Sequence, residues 1–252
     1  MESKKIPTVN IMNCPIHSLT MGQTIKEIEN NIKLNKQTHH VVVNAAKLVN
    51  MQTDKTLYDA VVNCDIINAD GQSIVWASRI LKQPLPERVA GADLMINLMD
   101  LAGEKGYKVF LFGAKEEIVS KVAKMYRDKF GNQVIAGYRN GYYAEGEEEA
   151  IAKTIAESAA QMLFVAISSP KKEIFLNKYK DIIKTPFIMG VGGTFDVISG
   201  HIKRAPIWMQ KAGLEWLYRT YQEPKRMWKR YLITNTKFIE LLFREKFINK
   251  TR

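Results

Sequence analysis

The segment Phe187-Ile188-Met189-Gly190-Val191-Gly192-Gly193-Thr194-Phe195-Asp196 decides the fold class of this 252-residue chain. A continuous apolar run passes directly into a glycine-rich turn, an order typical of a buried strand that leads into a helix. Glycine lets a phosphate approach the backbone closely, and the N-terminus of the following helix offers free N–H groups. The turn is therefore either a phosphate-binding turn or a plain tight connection.

Apolar runs of the same kind recur along the first 200 residues, with helical stretches between them. Several lack alternation, as expected of strands that are buried on both faces. The pattern predicts an α/β fold, a Rossmann-like and mostly parallel sheet with helices on both faces. The predicted strands are His40–Asn44, Asp65–Ala69, Lys108–Phe112, Val134–Tyr138, Leu163–Ile167 and Phe187–Val191.

Asp70 is the carboxylate best placed for chemistry, because it follows the predicted strand Asp65–Ala69 and precedes a glycine and a helix. Open α/β sheets bind ligands beyond the carboxyl ends of their strands, where Asp70 can accept a proton from a hydroxyl nucleophile. The alternative is that Asp70 only caps the next helix. Arg88 lies in the loop before another predicted helix. It suits bidentate contact with a diphosphate, or it is a solvated surface arginine.

Two further turns at the same predicted edge carry candidate ligand contacts. Gly113 and Ala114 follow the strand Lys108–Phe112 and form either a phosphate-binding turn or a structural one. Lys171 and Lys172 begin a helix, and their charges suit either a substrate phosphate or an ordinary cationic helix start. Neither glycine turn is a GxGxxG motif or a P-loop.

The composition is that of an ordinary folded protein. Hydrophobic residues make up 46% and charged residues 25%, and no apolar run approaches the roughly 18 residues of a membrane span. The N-terminus lacks an apolar signal core, which predicts a cytoplasmic protein. Cys14 and Cys64 have no CxxC spacing, the histidines have no metal-ligand spacing, and no DxD pair occurs. We therefore expect no disulfide, no metal and no cofactor.

The positive charge is concentrated at the C-terminal end. Residues 203–252 carry 13 Lys and Arg against four acids, and they contribute +9 of the formal net charge of +11. Three of the four tryptophans lie there too. Basic residues interleaved with large aromatics suit an anionic surface, either a membrane or a nucleic acid. We therefore predict an α/β catalytic domain, residues 1–202, and a helical membrane-docking appendage, residues 203–252.

Two helices are predicted in the appendage, Pro206 to Tyr221 and Pro224 to about Phe247, each with a proline near its first turn. The second is amphipathic and basic, as in helices that lie at a membrane interface. The alternative is that both helices simply pack on the sheet domain.

Motifs in series make the chain resemble the WecG/TagA/CpsF glycosyltransferase family, bacterial enzymes of cell-wall and surface-polysaccharide synthesis. The resemblance runs from about residue 7 to about residue 230. It rests on Asn44-Ala45, Ala69-Asp70-Gly71, Pro84–Gly91, Leu111–Ala114, Ser169–Glu173, Gly190–Asp196, Lys203–Pro206, Gly213–Arg219 and Glu223-Pro224.

The resemblance implies an inverting, metal-independent transfer of a sugar from a UDP-sugar to a polyprenyl-diphosphate-linked saccharide, at the cytoplasmic face of the cell membrane. It implies that Asp70 is the catalytic base and Arg88 the essential loop arginine. The residues expected around the nucleotide-sugar are Asn44, Gly113, Ala114, Lys171, Lys172, Gly192, Gly193 and Asp196. The appendage residues expected to close the site over the lipid diphosphate are Arg219, Arg226 and Arg230.

Four positions depart from the pattern of family members that transfer N-acetylmannosamine. Val42 replaces a Thr, Ala46 an acid, Ser73 a Gly and Lys172 a Gln. The donor sugar is therefore open: it is N-acetylmannosamine, another hexose, or a uronic acid, which the added charge of Lys172 favours. A homo-oligomer is possible.

Two other function classes compete with a transferase. A Rossmann oxidoreductase would need a dinucleotide fingerprint with an acid about 20 residues further on, and the chain has neither. A non-enzymatic nucleic-acid-binding protein would account for the basic appendage, but it leaves the two glycine turns and Asp70 unexplained. We therefore expect no nucleic acid partner.

Overall fold

The computed structural model describes residues 6–247, without the side chains of residues 211 and 226. Its elements are β1 (Thr8–Ile11), β2 (Cys14–His17), α1 (Met21–Lys33), β3 (Thr38–Val43), α2 (Ala45–Met51), α3 (Lys55–Val62), β4 (Ile66–Ala69), α4 (Gln72–Ile80), α5 (Gly91–Lys105), β5 (Val109–Gly113), α6 (Glu116–Phe130), β6 (Ile135–Arg139), α7 (Glu148–Glu157), β7 (Met162–Ala166), α8 (Lys171–Ile183), β8 (Phe187–Gly190), α9 (Thr194–Ile198), α10 (Ile207–Lys211), α11 (Glu215–Gln222) and α12 (Pro224–Phe247), with a 3-10 turn at Asn132–Val134.

Six strands form one parallel sheet in the order β4-β3-β8-β7-β5-β6. These are the six runs expected from the sequence, so the predicted fold class is confirmed. Alternate residues of one strand enter different cores. In β5, Val109 and Leu111 face one helical layer, whereas Phe110 and Phe112 face the other. Helices α1, α5, α6 and α9 cover the first face, and helices α2, α3, α4, α7 and α8 cover the second.

Strands β1 and β2 form an antiparallel hairpin that was not predicted. Its two-residue turn consists of Met12 and Asn13, both with positive φ (52° and 62°). Two-residue hairpin turns of this kind usually have Asn, Asp or Gly at the first position. Methionine occupies that position here, so the sequence did not indicate a hairpin.

Within residues 203–247 the appendage has three helices instead of the two predicted ones. The expected helix from Pro206 to Tyr221 breaks into α10 and α11 because Gly213 adopts φ 69° between them. A Cβ at Gly213 would lie 2.9 Å from the ring of Trp76, so the break lets the chain approach α4 closely.

Helix α12 returns to the sheet domain and is anchored there. Phe238 is buried in the core that contains Leu48 of α2, and a Glu245 carboxylate oxygen accepts a hydrogen bond of 2.9 Å from the Met12 N–H. Burial raises the pKa of Glu245. Among residues 6–247, no helix is both long and apolar enough to cross a membrane.

Candidate active site

A crevice is expected where β3 and β8 lie side by side in the middle of the sheet. The chain leaves these two strands toward opposite faces, since α2 packs Leu48 into one core and α9 packs Phe195 into the other. Open α/β sheets bind their ligands at such divergence points, outside the carboxyl ends of the strands. Asn44 borders the crevice on one side and Gly192 on the other.

The two glycine turns that were predicted as phosphate sites differ in what surrounds them. Gly192 has φ 56°, and a Cβ there would meet no atom within 4 Å. Gly113 has φ 126°, and a Cβ there would lie 2.4 Å from the carbonyl oxygen of Ala166 in β7. The Ala114 N–H also donates to that oxygen, at 2.9 Å. Strand packing therefore accounts for Gly113 and Ala114, whereas Gly192 borders open space.

We expect Gly192→Ala and Gly113→Ala to have different effects. Both force alanine into left-handed backbone, which costs about 1–2 kcal/mol, but only Gly113→Ala adds a collision with a neighbouring strand. Gly113→Ala should lower the free energy of unfolding by more than about 3 kcal/mol, as measured by urea denaturation. Gly192→Ala should stay within about 2 kcal/mol and weaken UDP binding. Equal stability losses in the two variants would contradict this distinction.

Asp70 lies just beyond the end of β4 with one carboxylate oxygen held and the other available. Oδ1 accepts a hydrogen bond of 2.9 Å from the N–H of Gly91, the first residue of α5. The N-cap of α4 is Gly71, without a side-chain cap, so the interpretation of Asp70 as the cap of that helix is wrong. Among the described residues Oδ2 has no hydrogen bond. An oriented carboxylate with one open oxygen suits a general base.

Asn44 lies next to Gly71, the residue that follows Asp70. Its Cβ is 3.6 Å from the position that a Cβ of Gly71 would take. Its side-chain oxygen caps α2 by accepting from the Lys47 N–H at 3.0 Å. That cap orients the side chain, and it leaves the amide N–H groups without a partner in residues 6–247. Asn44 can therefore donate to a ligand in the crevice.

A buried ion triplet packs beneath the Gly190 turn. The ammonium groups of Lys47 and Lys172 both lie 2.7 Å from the same Glu173 oxygen, and Lys47 also donates to the Val42 carbonyl at 2.8 Å. All three side chains are at most 8% exposed. The Lys172 side chain covers Gly190, where a Cβ would come within 2.9 Å of it. With two ammonium groups and one carboxylate, the triplet holds an excess positive charge near Asp70.

The charge states of the triplet follow from burial and from mutual attraction. Burial, together with the charge of Lys47, lowers the pKa of Lys172 to about 8. Burial alone would raise the pKa of Glu173, but Lys47 and Lys172 outweigh it and lower that pKa to about 2. Glu173 is therefore ionised throughout the neutral range, whereas Lys172 loses its proton as the pH rises through about 8.

Arg88 is mostly buried in a cluster of arginines and carboxylates, so it is not a solvated surface arginine. Its guanidinium lies 3.2 Å from Glu215 of α11 and 3.9 Å from Asp93 of α5. Arg204 joins the cluster by pairing with Asp93 through two nitrogens. A cavity of about 510 Å³ adjoins the cluster. It is lined by Gln72, Arg88, Asp93, Arg204, Ile207 and Gln210.

The remaining predicted residues make fewer described contacts. Lys171 is exposed at the start of α8, and Asp196 lies in the first turn of α9. Arg219 pairs with Glu215 at 3.6 Å, and Arg230 is exposed on α12. Arg226 also belongs to α12, but its side chain lies outside the described part of the chain.

Four charged residues of the site had no predicted role: Lys47, Glu173, Arg204 and Glu215. Lys47 carried a signal, because it is the only charged residue of the otherwise largely apolar helix α2. Glu173 and Glu215 also have partners close in sequence, Lys172 and Arg219. The pairings with Lys47, Arg88 and Asp93, however, span 111 to 127 residues, and no local spacing indicates those. Within residues 6–247, no group of three His, Cys, Asp or Glu side chains could hold a metal ion.

One comparison with known proteins bears on this site. The family model described as the glycosyl transferase WecG/TagA/CpsF family matches residues 9–252, nearly the whole chain.

Proposed function

Because the chain belongs to the WecG/TagA/CpsF family of glycosyltransferases, which act in surface-polysaccharide synthesis, we propose that it moves a sugar from a UDP-sugar to a polyprenyl-diphosphate-linked saccharide. The transfer inverts the anomeric carbon and needs no metal ion. The observation that carries this proposal is the open Oδ2 of Asp70 at the end of β4, the strand next to the point where the chain leaves β3 and β8 toward opposite faces. The family match favours a transferase over both an oxidoreductase and a nucleic-acid-binding protein.

Asp70 acts as the base. It removes the proton from the acceptor hydroxyl as that oxygen attacks the anomeric carbon, and the bond from that carbon to the UDP oxygen breaks on the opposite side. The hydrogen bond from the Gly91 N–H holds Oδ1, so Oδ2 is oriented toward the incoming proton. A positioned base of this kind contributes about 10²–10⁴-fold to the rate.

Fixed positive charges replace a metal at the leaving diphosphate. Negative charge develops on UDP as the bond breaks, and preorganised cations and N–H groups lower the energy of that state. Arg88, the excess charge of the Lys47–Glu173–Lys172 triplet and the open Gly192 turn are the groups available. The donor is N-acetylmannosamine, another hexose or a uronic acid, and the buried positive charge of Lys172 favours an anionic sugar.

The appendage holds the enzyme on an anionic membrane surface at the cytoplasmic face. Large apolar side chains are exposed there alongside the basic residues of α12, a combination that suits the boundary between lipid headgroups and acyl chains. The exposed apolar residues include Trp208, Trp216, Tyr221, Trp228, Leu232 and Phe243. Arg219, Arg226 and Arg230 belong to α11 and α12, and their role in this proposal is to bind the lipid diphosphate.

A transfer assay with defined lipid tests the proposal. UDP-linked N-acetylhexosamines, hexoses and uronic acids are offered in EDTA, with the lipid-linked acceptor in neutral vesicles or in vesicles that contain anionic lipid. We expect one donor to give a product of the added sugar mass with inverted anomeric configuration, faster on the anionic vesicles. Absence of product with every UDP-sugar, or retention of configuration, would contradict it.

A further inference from the structure

We propose that Arg88 and Arg204 form one binding site for a diphosphate, and that the Glu215 carboxylate of the appendage occupies this site until the diphosphate displaces it. The inference rests on the proposed function, because it takes the diphosphate from the substrates of that reaction. It adds Arg204 to the site and gives Glu215 the role of an internal competitor.

Glu215 contacts three guanidinium groups at once. Its two oxygens lie 3.2 Å from Arg88, 3.7 Å from Arg204 and 3.6 Å from Arg219. Arg204 Nε is buried and makes no hydrogen bond, because the oxygen of Glu215 that faces it is too distant. The single Glu215 carboxylate therefore cannot accept a hydrogen bond from all three guanidinium groups. A ligand with more negative charge and more acceptor oxygens would form more of these charge-assisted hydrogen bonds.

The two carboxylates of the cluster are anchored differently. Asp93 belongs to the first turn of α5, whose core-facing residues are fully buried and whose first N–H holds Asp70. Glu215 begins α11, a helix without a single buried residue. The contacts of α11 beyond the cluster include the ring of Trp216 against Tyr231 of α12 and a hydrogen bond of 3.0 Å from the Gln222 side chain to the Lys203 carbonyl, both within the appendage. Glu215 can therefore move away with α11, whereas Asp93 cannot leave without disturbing the catalytic side of the site.

A diphosphate fits the positive charge and the space that remain when Glu215 moves away. Helix α11 carries Arg219 as well as Glu215, so both leave together. Arg88 and Arg204 then retain one carboxylate, Asp93, and the three side chains carry a net charge of +1. Guanidinium groups bind phosphate oxygens in pairs, and the adjoining cavity of about 510 Å³ offers Gln72 and Gln210 as further polar contacts. The diphosphate comes either from UDP or from the lipid-linked acceptor.

Glu215→Gln tests the competition directly. The variant removes the competing charge while it keeps the size of the side chain. Glu240→Gln is the matched control, because it removes the same charge from an exposed Glu–Arg pair elsewhere in the appendage. Binding of UDP, of farnesyl diphosphate and of inorganic pyrophosphate is measured by calorimetry at low ionic strength, where such pairs are least screened.

We expect Glu215→Gln to bind pyrophosphate about tenfold more tightly than the wild type, the order of change given by losing one charge-assisted hydrogen bond. Glu240→Gln should not differ from the wild type. Whichever of UDP and farnesyl diphosphate shows the same gain identifies the source of the diphosphate. Hydrogen exchange in residues 215–222 should rise in Glu215→Gln without ligand and fall again when pyrophosphate is added.

Arg204→Gln tests whether the arginine cluster binds a diphosphate or only holds the appendage in place. It should weaken pyrophosphate binding about tenfold, and the double variant with Glu215→Gln should not recover the tight binding of the single one. If Glu215→Gln speeds exchange in α11 but leaves all three affinities unchanged, Glu215 is only a brace and the inference is wrong. If the wild type binds none of the three ligands, the proposed function fails together with it.

Discussion

Asp70→Asn is expected to lower the rate of sugar transfer by about 10²–10⁴-fold while UDP binding stays close to that of the wild type. The substitution removes the basic oxygen but keeps the shape of the side chain. Asparagine can still accept the hydrogen bond from the Gly91 N–H, so the connection between β4 and α5 should persist. The variant should therefore slow the chemical step, because no base accepts the proton of the acceptor hydroxyl.

The measurement is a single-turnover assay with product mass as readout, alongside calorimetry with UDP. Asp100→Asn is the matched control, since it removes the same charge from an exposed pair with Lys129 at the far end of α5. Its transfer rate should equal that of the wild type. An Asp70→Asn enzyme that keeps more than about a tenth of the wild-type turnover would rule out Asp70 as the base.

The sheet could be predicted because its strands are buried on both faces. Strand β7, for example, puts Phe164 in one core and Val165 in the other, so it reads as one apolar run. Asp70 was expected at the ligand edge for a related reason, since parallel strands end at one edge, and it does follow the end of β4 there. A glycine that follows a strand does not by itself identify a ligand site. Gly113 is required for a close contact with the neighbouring strand, whereas Gly192 borders open space.

The ion pairs that surround the site could not be predicted from the sequence. Lys47 and Glu173 are 126 residues apart, and Arg88 and Glu215 are 127 apart. Each pair depends on how helices from distant parts of the chain cross the carboxyl edge of the sheet. The break between α10 and α11 is at Gly213, whose φ of 69° suits a helix end, but its close approach to Trp76 of α4 depends on a residue far away in the sequence.

Glu173→Gln should destabilise the fold by about 3–5 kcal/mol at neutral pH, the usual cost of removing one partner from a buried ion pair. Glutamine leaves the Lys47 and Lys172 ammonium groups buried within reach of one another, without the carboxylate that now lies 2.7 Å from each. Urea denaturation at pH 7 measures the loss. The variant should also bind UDP less tightly, because the Lys172 side chain that covers Gly190 would move away from Lys47.

The pH dependence of this loss has a defined sign. The pKa of Lys172 in the folded protein, about 8, already lies below the usual lysine value of 10.5. Above about pH 8 the unfolded chain therefore binds more protons than the folded protein, and the free energy of unfolding rises with pH in that range. Without Glu173 the folded pKa falls further, so the same gain begins at lower pH. The difference between Glu173→Gln and the wild type should shrink between pH 7 and pH 9.

Lys172→Gln provides the control, because it leaves Lys47 and Glu173 as a one-to-one pair. It should change the free energy of unfolding by less than about 1.5 kcal/mol, and the double variant Lys172→Gln/Glu173→Gln should recover part of the loss of Glu173→Gln, since one ammonium group remains instead of two. If the double variant is no more stable than Glu173→Gln, repulsion between the two lysines does not cause the loss. The excess positive charge would then not affect stability, and binding of the donor would be the remaining role of Lys172.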